Sequence, residues 1–303
     1  LLKLKTKIDN AMKTLKLFME LTKIKITFAV MLTTIVGYAL AANDLNSGMF
    51  WPVLGLFILA MGSAILNQYQ EFALDAQMER TKHRPIPSGQ ISPFNALLLS
   101  VSMIVGGSAM LYLSSGFDAM WLGLLALLWY NAFYTPLKRK TPFAVIPGSV
   151  IGSLPPLVGW VAGGGDLMDM RAIVMAFFFF IWQVPHFWLL MIKYGEQYEA
   201  AGFPSLQRFY SEQHIRWVTF VWTASTAISA LMLPAFKVVQ SQITAIGIAI
   251  ISTWLIFSFL KLLKFDQHII FKPMKYFMKI NVFVLVIIIL LTVDNLWGIQ
   301  YVM

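Results

Sequence analysis

Three oxygen-bearing side chains, Asn67, Glu71 and Asp75, recur at intervals of four in the stretch NQYQEFALD. A helix turning about 100° per residue advances only about 40° beyond a full turn at each such step, so all three can line one face. Two carboxylates and an amide oxygen are hard ligands suited to Mg²⁺, which keeps several waters and shares its remaining positions with substrate phosphates. Arg80, Lys82 and Arg84 follow at once. Guanidinium forks match phosphate oxygens and a lysine supplies a point charge. The block reads as a metal-bridged diphosphate site.

The same charges would also suit an ordinary loop whose acids and bases cap helix ends. A second polar loop, KYGEQYEAAGFPSLQRFYSEQH, tips the reading toward chemistry: it offers Glu196 and Glu199 with Lys193 and Arg208, and YTPLKRKTP adds Lys138, Arg139 and Lys140. Two acidic clusters on separate helices, Asn67, Glu71 and Asp75 in one and Glu196 and Glu199 in the other, could each hold one Mg²⁺ around a shared diphosphate. Arg80, Lys82, Arg84, Lys138, Arg139 and Lys193 would complete the anion cage. His186 in WQVPHFW sits inside an apolar segment, where an imidazole is costly unless it finds a partner, whether a neighbouring helix or a ligand. His83 belongs with the phosphate loop, and His214 and His268 read as solvated residues.

Positioning these groups falls to helices in a bilayer. Of 303 residues, 58% are hydrophobic and only 12% charged, far from the roughly 25% charged share of a soluble domain. A hydrocarbon core about 30 Å thick needs roughly 20 apolar residues per helix. Nine stretches qualify, at about 26–42, 51–70, 94–114, 118–136, 142–162, 171–192, 216–236, 243–262 and 278–298. The short alternating segments of a membrane barrel are not the pattern here. The fold class is all-α: a polytopic bundle of about nine transmembrane helices, one membrane domain over 1–303 with an amphipathic, lysine-rich segment at 1–25. The net charge of +9 could suggest nucleic acid, but bases between long apolar runs act as topology determinants. With a cytoplasmic N-terminus, all but Arg171 and Lys237 of the 23 bases fall on the inner side, and the C-terminus lies outside. The long connections 71–93 and 193–215 are then inside, so the site cavity faces the cytoplasm.

Further readings follow from composition. Zero cysteines remove disulfides, thiolate zinc sites and thiol nucleophiles. The segment to Lys25 lacks the apolar core and cleavage site of a secretory signal, and a lysine-rich, arginine-poor chain without a transit peptide points to a bacterial inner membrane rather than a mitochondrial one. GSVIGS permits close helix packing, GGG at 163–165 reads as an external turn, and Pro155, Pro156 and Pro185 interrupt helical bonding within spans. A secondary transporter would couple ions through midplane charges, yet the acids cluster at one face and no paired broken helices occupy corresponding halves. Aromatic residues are abundant, and Tyr134 and Tyr198 lie beside the basic loops as walls for a cation.

Four stretches in order, NQYQEFALDAQMERTKHRPIPSGQISP, YTPLKRKTP, GSVIGSLPPLVGWVAGGG and WQVPHFW, resemble the protoheme IX farnesyltransferases, or heme O synthases, a family within the UbiA superfamily of intramembrane prenyltransferases. The similarity runs from about residue 20 to the last helix. It implies a UbiA-type bundle that ionises farnesyl diphosphate with Mg²⁺ and transfers the farnesyl group to a vinyl group of heme B, giving heme O for respiratory oxidases. Heme A synthase or a terminal oxidase assembly would be partners downstream, and nucleic acid would not. The resemblance places the N-x-x-x-[DE]-x-x-x-D motif, catalytic and metal-binding, on Asn67, Glu71 and Asp75. In the second motif similar proteins commonly carry two adjacent acids before a tyrosine; here Glu196 precedes Gln197 and Tyr198, so Glu196 carries the second metal with Glu199 a helical turn later. His186 would face heme, on the iron or a propionate. A UbiA-type enzyme acting on a quinone precursor or chlorophyllide would share the metal spacing but lack the RTKHRPIPSGQISP and PHFW contexts.

Overall fold

The computed structural model describes residues 2–264 and 271–298; His268 lies outside them. Among the described residues the helices are α1 Leu2–Leu21, α2 Ile24–Ala42, α3 Phe50–Asp75, α4 Pro93–Leu128, α5 Thr135–Leu137, α6 Val145–Gly148, α7 Val150–Ala162, α8 Met170–Lys193, α9 Gly195–Ala200, α10 Glu212–Ala235, α11 Gln242–Phe259 and α12 Pro273–Gly298, and no strand occurs. Among the described residues, eight helical stretches are long and apolar enough to cross a membrane. The longest, Pro93–Leu137, is two crossings rather than one. Gly116 breaks it with φ 83°, a conformation glycine adopts without the Cβ penalty other residues pay. A Cβ built on Gly123 would stand 2.9 Å from Leu111 Cδ1, whereas twelve residues of straight helix span about 18 Å. The chain therefore doubles back at Gly116, and with that stretch counted as two crossings the described residues hold the nine spans expected from hydropathy.

Packing explains why these helices stay together. The largest buried cluster joins Met175, Phe178 and Phe179 of α8 to Ala227, Ala230 and Leu233 of α10 and to Phe283 and Ile287 of α12. Leu113, Phe257 and Ile250 face outward, as lipid-facing residues should in a multi-pass membrane protein. Between α2 and α7 the backbones touch: a Cβ on Gly159 would meet Thr34 O at 1.9 Å, and one on Gly37 would meet Pro156 O at 1.9 Å. Small residues give such approach where lipid provides no hydrophobic drive between helices. The helix α7 runs unbroken through Pro155 and Pro156. In GSVIGS the glycines receive side chains instead of a helix backbone, Gly148 lying under the Tyr134 ring and Gly152 against Gln183. Gly163–Gly165 form the turn after α7.

One boundary matters for chemistry. The expected span 51–70 continues helically to Asp75, so Asn67, Glu71 and Asp75 ride the last turns of a membrane helix and keep their four-residue register.

Candidate active site at the polar end of the bundle

All three side chains of the triad are buried, Asn67 and Asp75 at 1% exposure and Glu71 at 5%. Asn67 is the hub. Its Nδ2 donates to Glu71 Oε2 at 3.1 Å and to Thr135 Oγ1 at 3.0 Å, while its Oδ1 accepts from Lys23 Nζ at 2.7 Å and from the Tyr130 hydroxyl at 3.0 Å. Each carboxylate is matched by a cation from a different segment: Lys138 Nζ lies 2.7 Å from Glu71 Oε2, and Arg84 Nη1 lies 2.6 Å from Asp75 Oδ2. Breaking a buried pair of this kind leaves an uncompensated charge, a cost of about 3–5 kcal/mol. Glu71 Oε1 is buried and has no hydrogen-bond partner among the described residues.

Lys23 reaches the site from the turn between α1 and α2. Its backbone is left-handed, with φ 50°, at a cost of roughly 1–2 kcal/mol for a residue with a Cβ. Gln68 holds that turn by donating through Nε2 to the carbonyls of Glu20 and Leu21. Burial holds the Lys23 ammonium down to about 7, with Arg84 and Lys138 pushing the same way and Glu71 and Asp75 pulling against them. Three crowded cations would be relieved by a polyanion.

The stretch Trp129–Tyr134 is a π-helical turn, and the sequence accounts for it. Pro136 has no N–H to offer the preceding turn, and Gln70 Nε2 takes the Asn131 carbonyl at 3.1 Å instead. Thr135 Oγ1 donates to the Tyr130 carbonyl at 2.9 Å. Such turns mark functional positions in many proteins, and here the turn stacks Tyr130 on Tyr134, with centroids 6.0 Å apart. Lys23 lies 6.0 Å from the Tyr130 centroid and Lys138 lies 5.7 Å from that of Tyr134. The row continues from Tyr134 to Phe187 at 5.7 Å and from Phe187 to His186 at 5.7 Å. His186 contacts the rings of Trp182 and Phe277 and shares a 2.9 Å hydrogen bond through Nδ1 with Asn281 Oδ1.

The second loop packs onto the first. Met78 is buried against Ala201 and Phe203, with Leu74 and Tyr198 at the margin, and the Arg80 guanidinium lies 4.9 Å from the Tyr194 ring centroid. Glu196, Glu199 and Lys193 are exposed. Glu199 accepts from Ser205 Oγ, and Lys82 pairs with Glu79 at 2.6 Å on the surface. Gln197 Oε1 in this loop is buried and has no hydrogen-bond partner among the described residues. Arg139 donates to the Gln70 carbonyl at 2.9 Å. With Lys140, Arg208, Glu199 and Gln207 it also lines a cavity of about 680 Å³ between the loops. The structure thus gathers Asn67, Glu71, Asp75, Arg84 and Lys138 in one cluster. Arg80 meets the second loop at Tyr194 and Arg139 caps Gln70 beside the cluster, whereas Lys82 pairs with Glu79 and Glu199 with Ser205, Lys193 and Glu196 are exposed, and His186 lies at the far end of the aromatic row. Lys23, Tyr130 and Thr135 join the cluster without having been singled out; only Tyr130 carried a signal, its four-residue spacing from Tyr134.

Set against known proteins, the sequence model described as the UbiA prenyltransferase family matches residues 30–287. The chain belongs to the UbiA prenyltransferase family. It is 40% identical over 210 residues to the protoheme IX farnesyltransferase of Geobacter sulfurreducens, covering 68% of this chain and 76% of that one. With the protoheme IX farnesyltransferase of Oleidesulfovibrio alaskensis it shares 31% over 277 residues, or 91% and 95% of the two chains. Among solved structures, digeranylgeranylglyceryl phosphate synthase superposes with a TM-score of 0.75 at 17% identity over 93% of this chain and 99% of the other. A UbiA homolog from Archaeoglobus fulgidus, bound to GPP and Mg²⁺, superposes with a TM-score of 0.65 at 15% identity over 92% and 99%. The fold and the class of enzyme, a prenyltransferase, follow.

The side chains fit a divalent metal of a particular kind. Among the described residues, no three His, Asp or Glu side chains come together as a metal-binding group, so the protein alone supplies no closed cage. The buried, unpartnered Glu71 Oε1 and the Asp75 carboxylate are hard oxygens that suit Mg²⁺ drawing its other ligands from diphosphate and water.

Proposed function

We propose that this UbiA prenyltransferase transfers a farnesyl group from farnesyl diphosphate to a vinyl group of heme B, forming heme O. The observation that carries the reading is the arrangement of two poles, a buried carboxylate and cation cluster around Asn67 and a histidine within the membrane-spanning α8, joined by a row of rings in contact. The sequence relatives named protoheme IX farnesyltransferase support the same choice of substrates.

Lys23, Arg84 and Lys138 bind the diphosphate oxygens, exchanging part of their attraction to Glu71 and Asp75 for the substrate. Mg²⁺ held on Glu71 and Asp75 would stabilise the negative charge of the departing diphosphate. The allylic C1–O bond breaks with its electron pair leaving on diphosphate. The Tyr130, Tyr134 and Phe187 faces border the cation and exclude water from it. The vinyl π electrons of heme attack C1, and water adds to the resulting cation with loss of a proton, giving the hydroxyethylfarnesyl group. His186 holds the acceptor. Arg80, Lys82, Arg139 and Lys193 receive the diphosphate on its way in, and Glu196 with Glu199 would hold a second Mg²⁺; the basic end faces the cytoplasm of a bacterial inner membrane, and a heme A synthase or oxidase takes the product. Purified protein given heme B and farnesyl diphosphate, with and without Mg²⁺, should yield a Mg²⁺-dependent product with the mass of heme O. Prenylation of an aromatic acid or chlorophyllide in place of heme would refute the assignment.

A further inference from the structure

Among the described residues His186 has one polar partner, and that partner settles which nitrogen carries the proton. Asn281, on α12, donates through Nδ2 to the Phe277 carbonyl at 2.7 Å. A carbonyl only accepts, so the amide cannot be turned the other way, and the oxygen must face His186 at 2.9 Å. A neutral imidazole facing an acceptor there donates from Nδ1. Its Nε2 keeps a free lone pair and makes no hydrogen bond among the described residues. The ring plane is held by Trp182 at 5.0 Å, Phe277 at 4.8 Å and Phe187 at 5.7 Å between centroids. Metal-binding histidines are oriented in this way, with one ring N–H on an oxygen acceptor and the other nitrogen toward the metal.

We propose that Asn281 is a positioning residue that locks His186 as the Nδ1–H tautomer and presents Nε2 to the iron of the porphyrin acceptor. The iron belongs to the substrate, and the proposal rests on the reading of heme as acceptor given above. Nothing in the sequence motifs marks Asn281, a lone amide in the apolar run KINVFVLV.

The tautomer is tested without heme. Nitrogen NMR of protein labelled with ¹⁵N-histidine, with the His186 signals assigned by their loss in His186→Ala, should show protonated Nδ1 and unprotonated Nε2. Asn281→Leu should shift that population toward the other tautomer, and an Nε2–H tautomer in the unchanged protein would overturn the proposal. Heme B titration then tests ligation. Second-sphere partners of metal ligands typically contribute 10–100-fold in affinity, so Asn281→Leu should weaken heme binding by about that factor and change the Soret band. Asn281→Asp, which keeps an acceptor and adds charge, should retain ligation and lower the reduction potential of the bound heme. Heme binding with the same affinity and spectrum in wild type, Asn281→Leu and His186→Ala would overturn this proposal while leaving the acceptor assignment standing. Absence of heme binding in every variant, wild type included, would overturn both.

Discussion

Lys23→Met is the most searching substitution in the donor site. The ammonium lies 2.7 Å from Asn67 Oδ1 and 3.4 Å from the Tyr130 hydroxyl, and nothing in its sequence context distinguishes it from a topogenic lysine. Methionine preserves length and apolar volume and pays the same left-handed backbone cost, and Asn67 Oδ1 keeps its bond from Tyr130 at 3.0 Å. The fold should survive, so the loss falls on substrate. A hydrogen bond to a charged group is worth about 1.5–3 kcal/mol, which at roughly 1.4 kcal/mol per decade is about ten- to hundredfold. Lys23 is half-buried, so the lower half of that range applies. Initial rates in nanodiscs, with farnesyl diphosphate varied at saturating heme B, should show kcat/KM for the donor down by about ten- to thirtyfold. The heme titration and the thermal transition should stay unchanged. A kcat/KM within twofold of wild type would refute the assignment of Lys23 to diphosphate binding.

Other substitutions probe the remaining claims. Asp75→Asn leaves Arg84 without its anion and weakens the metal site; kcat should fall at least about 10²-fold while heme affinity by titration is retained. Glu196→Gln and Gln197→Glu separate the two candidates in the second loop: if the exposed Glu196 holds the second Mg²⁺, its loss should raise the Mg²⁺ concentration needed for half-maximal rate about tenfold or more, and Gln197→Glu should not lower it. Gly159→Ala drives a Cβ to 1.9 Å from the Thr34 carbonyl and should lower the thermal midpoint, by about 1–3 kcal/mol or more of overpacking. Gly106→Ala, which meets nothing within 4 Å, should leave it unchanged or raise it.

Hydropathy marked the nine spans because each must bury a bilayer's width of backbone, and the break at Gly116 fell between two of them as expected. The triad was legible for a similar reason: a four-residue spacing survives whenever the helix continues, as it does to Asp75. What could not be read were contacts that join distant segments. Lys23 lies 44 residues from Asn67, and its role depends on a left-handed turn that no residue type announces. Asn281 and His186 are 95 residues apart. In the second loop the charge of Glu196 drew attention, yet the chain turns Gln197 Oε1 into the protein and leaves Glu196 exposed, a matter of helix phase in the short α9 rather than of composition.

The central claim is that diphosphate and porphyrin bind at opposite ends of one aromatic row. A structure of the protein with Mg²⁺, heme B and a non-hydrolysable farnesyl thiodiphosphate tests it directly. The account predicts phosphorus density among Lys23, Asp75, Arg84 and Lys138 and the porphyrin iron on His186 Nε2, with the prenyl chain along Tyr130, Tyr134 and Phe187. Diphosphate bound away from Asp75, or porphyrin lying outside the bundle with His186 untouched, would contradict it.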